Sequence, residues 1–525
     1  METASTAHSN YVLRALELFA GYGDREALVR QDRRFTYAEL RAAIMNMASS
    51  MHAHGARPGM TVVVLLDRPI EAPIVQLALH ALGTRSVWID VHAVRRDLGE
   101  YLRMVRPELL LYDARELGDQ GRQLADRLGV PVLCLGPGGL GPDVSVPTES
   151  PFDPAWAATG TPESIFQTSG TTGIPKLVHH RQSFYRQVIA LGEELVASGE
   201  HRLRHLSFSG LAYMAGQVSA LLYLFAGGTL VLQGGFKLED FLGAIERERV
   251  QSTFVAPPML YAMLDSPILD TTDVSSLEML SVGAAPATMP RLRQAIDRFG
   301  PVVRITYGLS ECPFVSAFPE IGADPSRPEL LKSCGQPYGD VQVQIRAEDG
   351  TVLDTGDVGE LWVSSNLNFA GYWGQPELTE QTLVGGWLRT GDLGYRDADG
   401  YLYLVGRADD MIIVGESCGK IFPRPIEDTL TSHPQVRAAA VIGVPDPRFS
   451  EVAHAYVVRS GGATVTAEEL ADLVRAELHP EWVPASFEFV ESLPLTAIGK
   501  VNTSALRAKY AAEHSMGTDA DRAPV

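Results

Sequence analysis

The stretch Gln167-Thr168-Ser169-Gly170-Thr171-Thr172-Gly173-Ile174-Pro175-Lys176 organises this chain. Gly170 and Gly173 permit backbone torsions that other residues avoid, so successive amides can turn toward one anion. Lys176 adds a point charge for the outer oxygens of that anion. Pro175 prevents a helix from beginning directly after the loop, which excludes the usual P-loop. The hydroxyls that can donate to phosphate oxygens belong to Thr168, Ser169, Thr171 and Thr172.

Length and charge limit the possible functions. The chain has 525 residues, enough for roughly two or three domains with separate cores. Its net charge of −20 argues against nucleic acid or an anionic membrane surface as the main partner. The four cysteines form no Cys-x-x-Cys pair, and the first residues show no basic-then-apolar leader, so we expect a cytoplasmic protein. Both a monomer and a homodimer remain open.

The N-terminal half alternates between helix and strand patterns. Thr36 and Glu39 stand three positions apart ahead of a periodic run, which predicts a capped helix. Residues 61–66 form a β-branched apolar run typical of a buried strand, 71–82 indicate a helix, and 86–89 indicate another strand. This order predicts stacked layers with parallel strands in an α/β fold.

Three further predicted strands each lead into a distinctive short segment. The run 253–258 is predicted as a strand that ends in a rigid turn at two prolines. The run 277–282 leads into Gly283-Ala284-Ala285-Pro286, whose small side chains leave room for a flat ring against the backbone. The run 302–306 leads into Tyr307-Gly308-Leu309-Ser310-Glu311, which places an aromatic ring and a carboxylate past a strand end.

The C-terminal part of the chain changes character at about residue 335. Short alternating strands with a hairpin signal at Asp349-Gly350 predict a β-rich subdomain over 335–408. Within it, Thr390-Gly391-Asp392 precedes a predicted hairpin. Beyond Asp409-Asp410, the pattern predicts a compact α+β unit over 409–525 whose last loop contains Lys500. The tail from residue 511 is small and polar, so we expect it to be disordered.

Together these segments resemble the acyl-adenylate-forming superfamily, which includes acyl-CoA synthetases, fatty-acid–AMP ligases, adenylation domains and luciferases. The resemblance covers nearly the whole chain. It implies a large N-terminal adenylation domain over 1–408 and a small mobile lid over 409–525, with the hinge at Asp409. It also implies activation of a carboxylic, fatty acid by ATP and Mg²⁺, followed by transfer to the phosphopantetheine thiol of coenzyme A or an acyl carrier protein.

The resemblance also assigns roles to single residues. Lys500, Lys176 and Glu311 are the implied catalytic residues, and Glu311 with Thr171 is the implied Mg²⁺ site. The ring of Tyr307 is expected on adenine, and Asp392 is expected on the ribose hydroxyls. The complete implied ATP/AMP site comprises Thr168, Ser169, Gly170, Thr171, Thr172, Lys176, Gly283, Ala284, Ala285, Tyr307, Gly308, Ser310, Asp392, Leu404, Arg407 and Lys500.

Residues 206–236 carry no charged side chain. Glycines interrupt the run, so a buried helix followed by a strand at 229–232 fits better than a membrane span. The absence of an acidic partner disfavours an ammonium group and favours an apolar acyl chain, although an ordinary core has the same composition. The predicted acyl pocket comprises Tyr213, Met214, Gly216, Gln217, Val282 and Gly283.

Two alternative functions remain open, and one loop departs from the pattern of the superfamily. A stand-alone amino-acid adenylating enzyme is disfavoured by the missing acidic residue, and an inactive binding relative is disfavoured by Lys176, Glu311 and Lys500 together. The loop at 414–422 is about two residues longer than the thiol-guiding loop of the superfamily, so coenzyme A and a carrier protein both stay open. His179-His180 have no carboxylate or cysteine at ligand spacing, so we expect no zinc site.

Overall fold

The structure is a computed structural model, and it describes residues 10–67, 70–89, 99–168, 176–198, 203–318, 326–414, 419–446, 450–495 and 500–515. Its helices are α1 (Tyr11–Tyr22), α2 (Tyr37–Ala53), α3 (Ala72–Ala81), α4 (Gly99–Val105), α5 (Gly118–Leu128), α6 (Pro154–Ala157), α7 (Gln182–Ser198), α8 (Met214–Phe225), α9 (Leu238–Glu248), α10 (Pro257–Leu264), α11 (Met289–Phe299), α12 (Pro376–Thr382), α13 (Pro423–Ser432), α14 (Ala467–Glu477) and α15 (Thr503–Ser515).

The strands are β1 (Glu26–Arg30), β2 (Arg33–Thr36), β3 (Thr61–Leu65), β4 (Arg85–Trp88), β5 (Leu109–Asp113), β6 (Val132–Leu135), β7 (Glu163–Thr168), β8 (Lys176–Arg181), β9 (Arg204–Ser207), β10 (Thr229–Leu232), β11 (Ser252–Val255), β12 (Met279–Val282), β13 (Val303–Tyr307), β14 (Ser316–Phe318), β15 (Gln336–Pro337), β16 (Gln342–Arg346), β17 (Gly359–Ser364), β18 (Gly371–Tyr372), β19 (Leu383–Val384), β20 (Trp387–Arg396), β21 (Leu402–Arg407), β22 (Ile412–Val414), β23 (Gly419–Ile421), β24 (Val436–Asp446), β25 (Ser450–Arg459) and β26 (Ser486–Phe489).

Two large sheets form the body of the fold. A seven-stranded sheet has the order β18-β8-β7-β4-β3-β5-β6, and a nine-stranded sheet has the order β15-β14-β13-β12-β11-β9-β10-β1-β2. The central strands of each sheet are parallel. Parallel strands are usually covered on both faces, and all five residues of β3 are buried accordingly. This arrangement confirms the predicted α/β layers.

Two hydrophobic clusters lie on opposite faces of the nine-stranded sheet. The first cluster contains α2, α3 and α8 and is represented by Leu40, Leu77 and Leu221. The second cluster lies under α9, α10 and α11 and is represented by Leu260 and Leu292. Helix α8 therefore covers one face of this sheet, and the second cluster covers the other.

The β-rich segment shares the first cluster. Its antiparallel sheet has the order β16-β17-β20-β19, with β21 paired to β20. The buried side chains of Val343, Leu361 and Leu402 belong to the same cluster as α2 and α8. This segment is therefore packed into the core of the larger unit.

The chain beyond β21 forms a smaller unit with its own cores, which we call the lid. Its sheet has the order β23-β22-β25-β24, with β26 on β25. One lid cluster contains Ile426 and Leu470, and another contains Ile442 and Leu506. Within the described ranges, none of the helices has the length and apolar content needed to span a bilayer.

An ion-pair chain joins the lid to the larger unit. Nε of Arg437, on β24, lies 3.1 Å from Oδ2 of Asp265, and Nη1 of Arg291, on α11, lies 2.6 Å from Oδ1 of the same carboxylate. Within the lid, Arg507 lies 3.3 Å from Asp410, which ties α15 to the segment just after β21. The contact of Arg437 with Asp265 holds the lid in the arrangement seen here.

One local prediction from the sequence is confirmed, and others are wrong. The capping box of Thr36 and Glu39 is confirmed, with both hydrogen bonds present. The predicted turn at Pro257 is wrong, because proline suits the first helical position and begins α10 there. Asp392 lies inside β20 and not before a hairpin. The tail is ordered through Ser515, because Leu506 anchors α15 against the lid sheet.

Candidate active site

Asp392 lies at the centre of the candidate site. Its register partner on β21 is Arg407, whose Nη1 donates to Oδ1 at 2.9 Å. The hydroxyl of Tyr307 donates to Oδ2 at 2.5 Å. Burial raises the pKa of the Asp392 carboxyl, against the opposing effect of these two donors. Leu404, on the same strand as Arg407, packs against the first cluster.

Lys500 reaches this centre from the lid. It is half-buried, and burial lowers the pKa of its ammonium group. The carboxylates of Asp392 and Glu311 raise that pKa, and the guanidinium of Arg407 lowers it. The structure therefore brings a lid cation within electrostatic range of three residues of the larger unit.

Glu311 is held by a residue that the sequence analysis missed. Its Oε1 accepts a hydrogen bond from the hydroxyl of Tyr372 at 2.7 Å. Nζ of Lys176 lies 5.9 Å from the centre of the same tyrosine ring. Burial, followed by the charge of Glu311, raises the pKa of Tyr372, so the phenol stays protonated at neutral pH. The signal in the sequence is the aromatic run Gly371-Tyr372-Trp373 after an apolar stretch.

The ends of the predicted phosphate loop lie at this same place. Thr168 and Lys176 are register partners at the loop end of the β7–β8 hairpin. The segment between them lies outside the described residues, and it contains the predicted phosphate ligands Ser169, Gly170, Thr171 and Thr172. The hairpin nevertheless fixes where the loop returns, because Lys176 lies over Tyr372.

A buried histidine connects the hairpin to the segment after β13. Nε2 of His180, on β8, lies 2.8 Å from the carbonyl oxygen of Ser310. Burial lowers the pKa of His180 to about 3, so the ring is neutral, and Nε2 is the donor because a carbonyl only accepts. No group of three or more histidine, cysteine, aspartate or glutamate side chains among the described residues could hold a metal ion.

Small residues at two strand ends allow the backbone to come close. A Cβ on Gly283 would lie 2.7 Å from the carbonyl oxygen of Thr306, and a Cβ on Gly308 would lie 2.0 Å from another backbone oxygen. Ala284 has φ +67°, a left-handed conformation that costs an L-residue about 1–2 kcal/mol. Ala285 follows it and is half-buried. Larger side chains at Gly283 and Gly308 would push these segments apart.

The residues predicted to line an acyl pocket do not converge. Met214 is buried in the first cluster, whereas Val282 is buried in the second cluster on the far side of the sheet. Gln217 is buried and accepts a hydrogen bond from Tyr185 at 2.7 Å. A Cβ on Gly216 would lie 2.4 Å from a carbonyl oxygen of the preceding loop. These residues serve packing in this structure, because they lie on the core side of their elements.

A different stripe of α8, exposed at Ala215, contacts the nine-stranded sheet at its Tyr223 end. Ala215, Ser219 and Tyr223 recur at four-residue intervals after the half-buried Tyr213. The hydroxyl of Tyr223 lies 2.6 Å from Oγ of Ser252 on β11, which fixes the direction of the stripe. Tyr213 was predicted from the sequence, whereas Ala215, Ser219 and Tyr223 were not, because the apolar stretch was considered as a whole.

The residues present fit a magnesium ion held together with phosphates. Oε1 of Glu311 accepts from Tyr372, and Oε2 has no hydrogen-bond partner among the described residues. Mg²⁺ in nucleotide sites usually takes one or two carboxylates, with phosphate oxygens and waters as the other ligands. Thr171, the second predicted ligand, lies outside the described residues.

Comparison with known families decides the affiliation of the chain. A model of the AMP-binding enzyme family matches residues 17–373, and a model of the AMP-binding enzyme C-terminal domain matches residues 425–500. The chain belongs to the AMP-binding enzyme family. This confirms the superfamily resemblance and the fold class that the sequence predicted.

Individual members of the family are similar over almost the full length. The medium/long-chain-fatty-acid–CoA ligase FadD8 of Mycobacterium tuberculosis is 32% identical over 96% of this chain and 90% of its own length. A feruloyl-CoA synthase of an Amycolatopsis species is 32% identical over 90% of this chain and 94% of its own length. The structure of the amide bond synthetase McbA from Marinactinospora thermotolerans superposes with a TM-score of 0.83 and 34% identity, covering 95% of this chain and 100% of that chain.

Proposed function

We propose that this member of the family is an ATP-dependent ligase. It activates a carboxylic acid as the acyl-adenylate and then transfers the acyl group to the phosphopantetheine thiol of coenzyme A or an acyl carrier protein. The position of Lys500 carries the proposal, because this lid cation reaches Asp392, Arg407 and Glu311. The fatty-acid–CoA ligase and the feruloyl-CoA synthase among the relatives support an acid with an apolar body.

In the first step, a carboxylate oxygen of the acid attacks the α-phosphorus of ATP, and pyrophosphate leaves. Two anions meet in this step, so positioned cations and amide dipoles lower its barrier. Lys500 is proposed to lie between the carboxylate and the α-phosphate, and Lys176 is proposed to serve the outer phosphates. Glu311 would hold a Mg²⁺ ion, which would supply Lewis-acid stabilisation of the phosphate oxygens.

The nucleoside is proposed to bind at Asp392. Each carboxylate oxygen has already accepted one hydrogen bond, from Arg407 and from Tyr307, and each keeps a further lone pair for a ribose hydroxyl. The bond to Asp392 also fixes the ring of Tyr307, which is proposed to lie against adenine. The same carboxylate thus orients both the sugar and the base.

In the second step, the thiol attacks the carbonyl carbon of the mixed anhydride, and AMP leaves. Lys500 obstructs an approach to that carbon while the lid is in the arrangement seen here. We therefore propose that the lid turns about Asp409, which lies in the short 3₁₀ turn Ala408–Asp410 between β21 and β22. Residues 415–418 of the longer loop lie outside the described residues.

Exchange of pyrophosphate with ATP, measured with panels of carboxylic acids and amino acids, tests the proposal. We expect Lys500→Ala to lower acid-dependent exchange by about 100-fold or more, because it removes the cation at the reacting centre. Transfer from a presynthesised acyl-adenylate to the thiol should keep its wild-type rate. Lys237→Ala, on an exposed residue ahead of α9, is the control and should change neither half-reaction.

The other possible outcomes contradict the proposal in different ways. Undiminished exchange in Lys500→Ala contradicts the role of that lysine. Exchange driven by amino acids alone favours the stand-alone amino-acid adenylating enzyme. No exchange by the wild type with any acid indicates the catalytically inactive relative.

A second candidate is transfer of the acyl group to an amine. The similarity to the solved amide bond synthetase, at 34% identity and a TM-score of 0.83, favours it. Mass spectrometry of the products formed with coenzyme A, a pantetheinylated carrier protein or a panel of primary amines separates the two. Thioester formation alone supports the first candidate, and amide formation without any thiol supports the second.

A further inference from the structure

Part of the nine-stranded sheet carries polar side chains under α8. Leu280 and Val303 are register partners on β12 and β13, and both are buried in the second cluster. Because side chains alternate along a strand, the next pair, Ser281 and Arg304, points to the opposite face, where α8 lies. A hydroxyl and a guanidinium therefore lie side by side at the centre of the sheet.

This polar row is only half-buried, although its strands are inside the sheet and the Tyr223 side chain of α8 reaches across β11 to β12. Phe254 is the register partner of Ser281 on β11, and Phe254, Ser281 and Arg304 are all half-buried. Ser219 and Tyr223, on the facing stripe of α8, are half-buried too. Phe254 and Tyr223 belong to neither the first nor the second cluster. Close-packed interiors leave few voids, so partial exposure here indicates a space between helix and sheet.

The space has a top and a floor. At the top, Gly283, the residue after β12, lies beside Thr306 and next to the proposed nucleotide site. At the floor, the hydroxyl of Tyr223 lies 2.6 Å from Ser252 and 3.8 Å from the sulfur of Met279. Four residues separate Gly283 from the floor, which corresponds to about 13 Å along the strand. The Arg304 row lies about halfway down, about 7 Å below the top.

Arg304 has no counter-ion among the residues that the structure describes. It makes no hydrogen bond or ion pair with any residue that the structure describes. Its charge reaches the phenol of Tyr223, which remains protonated because burial raises its pKa. The facing stretch 206–236 contributes no acidic residue. A guanidinium that is partly withdrawn from bulk water gains from an anion nearby, and a carboxylate gives it a charge-assisted, bidentate partner.

We propose that Arg304 determines substrate specificity by binding a second carboxylate at the far end of the acid substrate. The favoured substrates are dicarboxylic acids with an apolar body and about 7–10 Å between the two carboxyl groups. This inference rests on the proposed function and names its substrate class. A simple fatty acid would add no partner for the guanidinium, which has none among the described residues.

Matched pairs of acids test this assignment by ATP–pyrophosphate exchange. One pair is 3-(4-carboxyphenyl)propanoic acid and its 4-methyl analogue, and a second series compares linear diacids with monoacids of the same chain length. We expect the wild type to favour the diacid in kcat/KM by at least about tenfold, because a site built for a polar group rejects the analogue without it. Arg304→Gln should remove this preference, so that diacids and monoacids are used with similar kcat/KM.

Two variants complete the design. Arg304→Lys keeps the charge and should retain part of the preference. Arg293→Gln, on an exposed residue of α11, should behave as the wild type. Monoacid exchange by Arg304→Gln shows that this variant is folded. Should it not fold, the wild-type preference and Arg304→Lys decide.

The outcomes separate this inference from the function on which it rests. Equal use of diacids and monoacids by the wild type overturns the assignment of Arg304 and leaves the ligase proposal standing. A diacid preference that Arg304→Gln does not alter overturns it as well. Absence of exchange with every acid overturns the ligase proposal, and the inference with it.

Discussion

Tyr307 and Asp392 belong to different sheets, and a single hydrogen bond of 2.5 Å joins them. Tyr307 ends β13 of the nine-stranded sheet, and Asp392 lies on β20 of the β-rich sheet. The bond therefore fixes the two sheets relative to each other at the point where the nucleoside is proposed to bind. A substitution at either residue should weaken nucleotide binding more than it lowers the stability of the fold.

Tyr307→Phe tests this link. The variant keeps the ring and removes the donor, and a hydrogen bond to a charged group contributes about 1.5–3 kcal/mol. We expect KM for ATP to rise by roughly tenfold. Loss of a donor disfavours the charged carboxylate, so the pKa of Asp392 should rise, and the acid limb of kcat/KM for ATP should move to higher pH. An acid limb unchanged by the substitution would contradict the role of Asp392.

Tyr372→Phe should change the metal requirement. It keeps the ring near Lys176 but frees Oε1 of Glu311, which is then no longer oriented. We expect the Mg²⁺ concentration for half-maximal exchange to rise roughly three- to tenfold, in line with the loss of one hydrogen bond to a carboxylate. Tyr403→Phe, which removes a bond to Asp397 in a hairpin, is the control. A similar effect in both variants would show that Tyr372 has no special role.

Arg437→Ala should shift the lid toward other arrangements. The pair with Asp265 is partly exposed, and such pairs contribute about 0.2–1 kcal/mol, or up to about fivefold in an equilibrium. Energy transfer between dyes on the lid and on the larger unit measures this population. Arg249→Ala breaks a pair with Asp273 inside the larger unit and should leave the signal unchanged. No shift in either variant would mean that this contact does not hold the lid.

Stability should fall in mild acid. Burial lowers the pKa of His80, His180 and His205 to about 3, against an ordinary value of about 6.5. Between these values the unfolded chain binds protons that the folded chain does not. The stabilisation is therefore complete above about pH 6.5 and declines as the pH falls toward 3, by up to about 1.4 kcal/mol per pH unit for each histidine.

Urea denaturation at pH 7.5 and 5.5 measures this loss. His180→Asn keeps a donor for the carbonyl of Ser310 but cannot titrate, so the difference between the two pH values should shrink by about 1 kcal/mol. An undiminished difference would show that His180 does not contribute to the pH dependence.

Much of the fold could be predicted because local signals agree with tertiary packing. The run 61–66 is apolar at every position, as a strand covered on both faces must be, and Thr36 and Glu39 form their capping box within one turn. The segments at Tyr307 and Asp392 could be predicted as partners because each has a recognisable motif. Their direct contact could not be predicted, because it depends on how two sheets meet.

Tyr372 and the lining of the acyl pocket could not be predicted for a related reason. Tyr372 is far in sequence from Glu311, and only the pairing of β18 with β8 brings its hydroxyl to that carboxylate. The acyl pocket was predicted from the apolar stretch at 206–232, but register and alternation decide which side chains face inward. By this alternation, Val282 faces the second cluster, away from α8. Arg304 belongs to no recognisable motif, and its side chain points to the face of the sheet on which α8 lies.

Val343 and Leu361 share a hydrophobic core with α2 and α8. This shared core limits where the enzyme can be cut into separate pieces. A truncation ahead of residue 335 would strip apolar side chains from the main body and expose its interior, whereas a cut beside Ala408–Asp410 passes between self-contained cores. The lid thus has cores of its own, whereas the β-rich sheet shares the core of the main body.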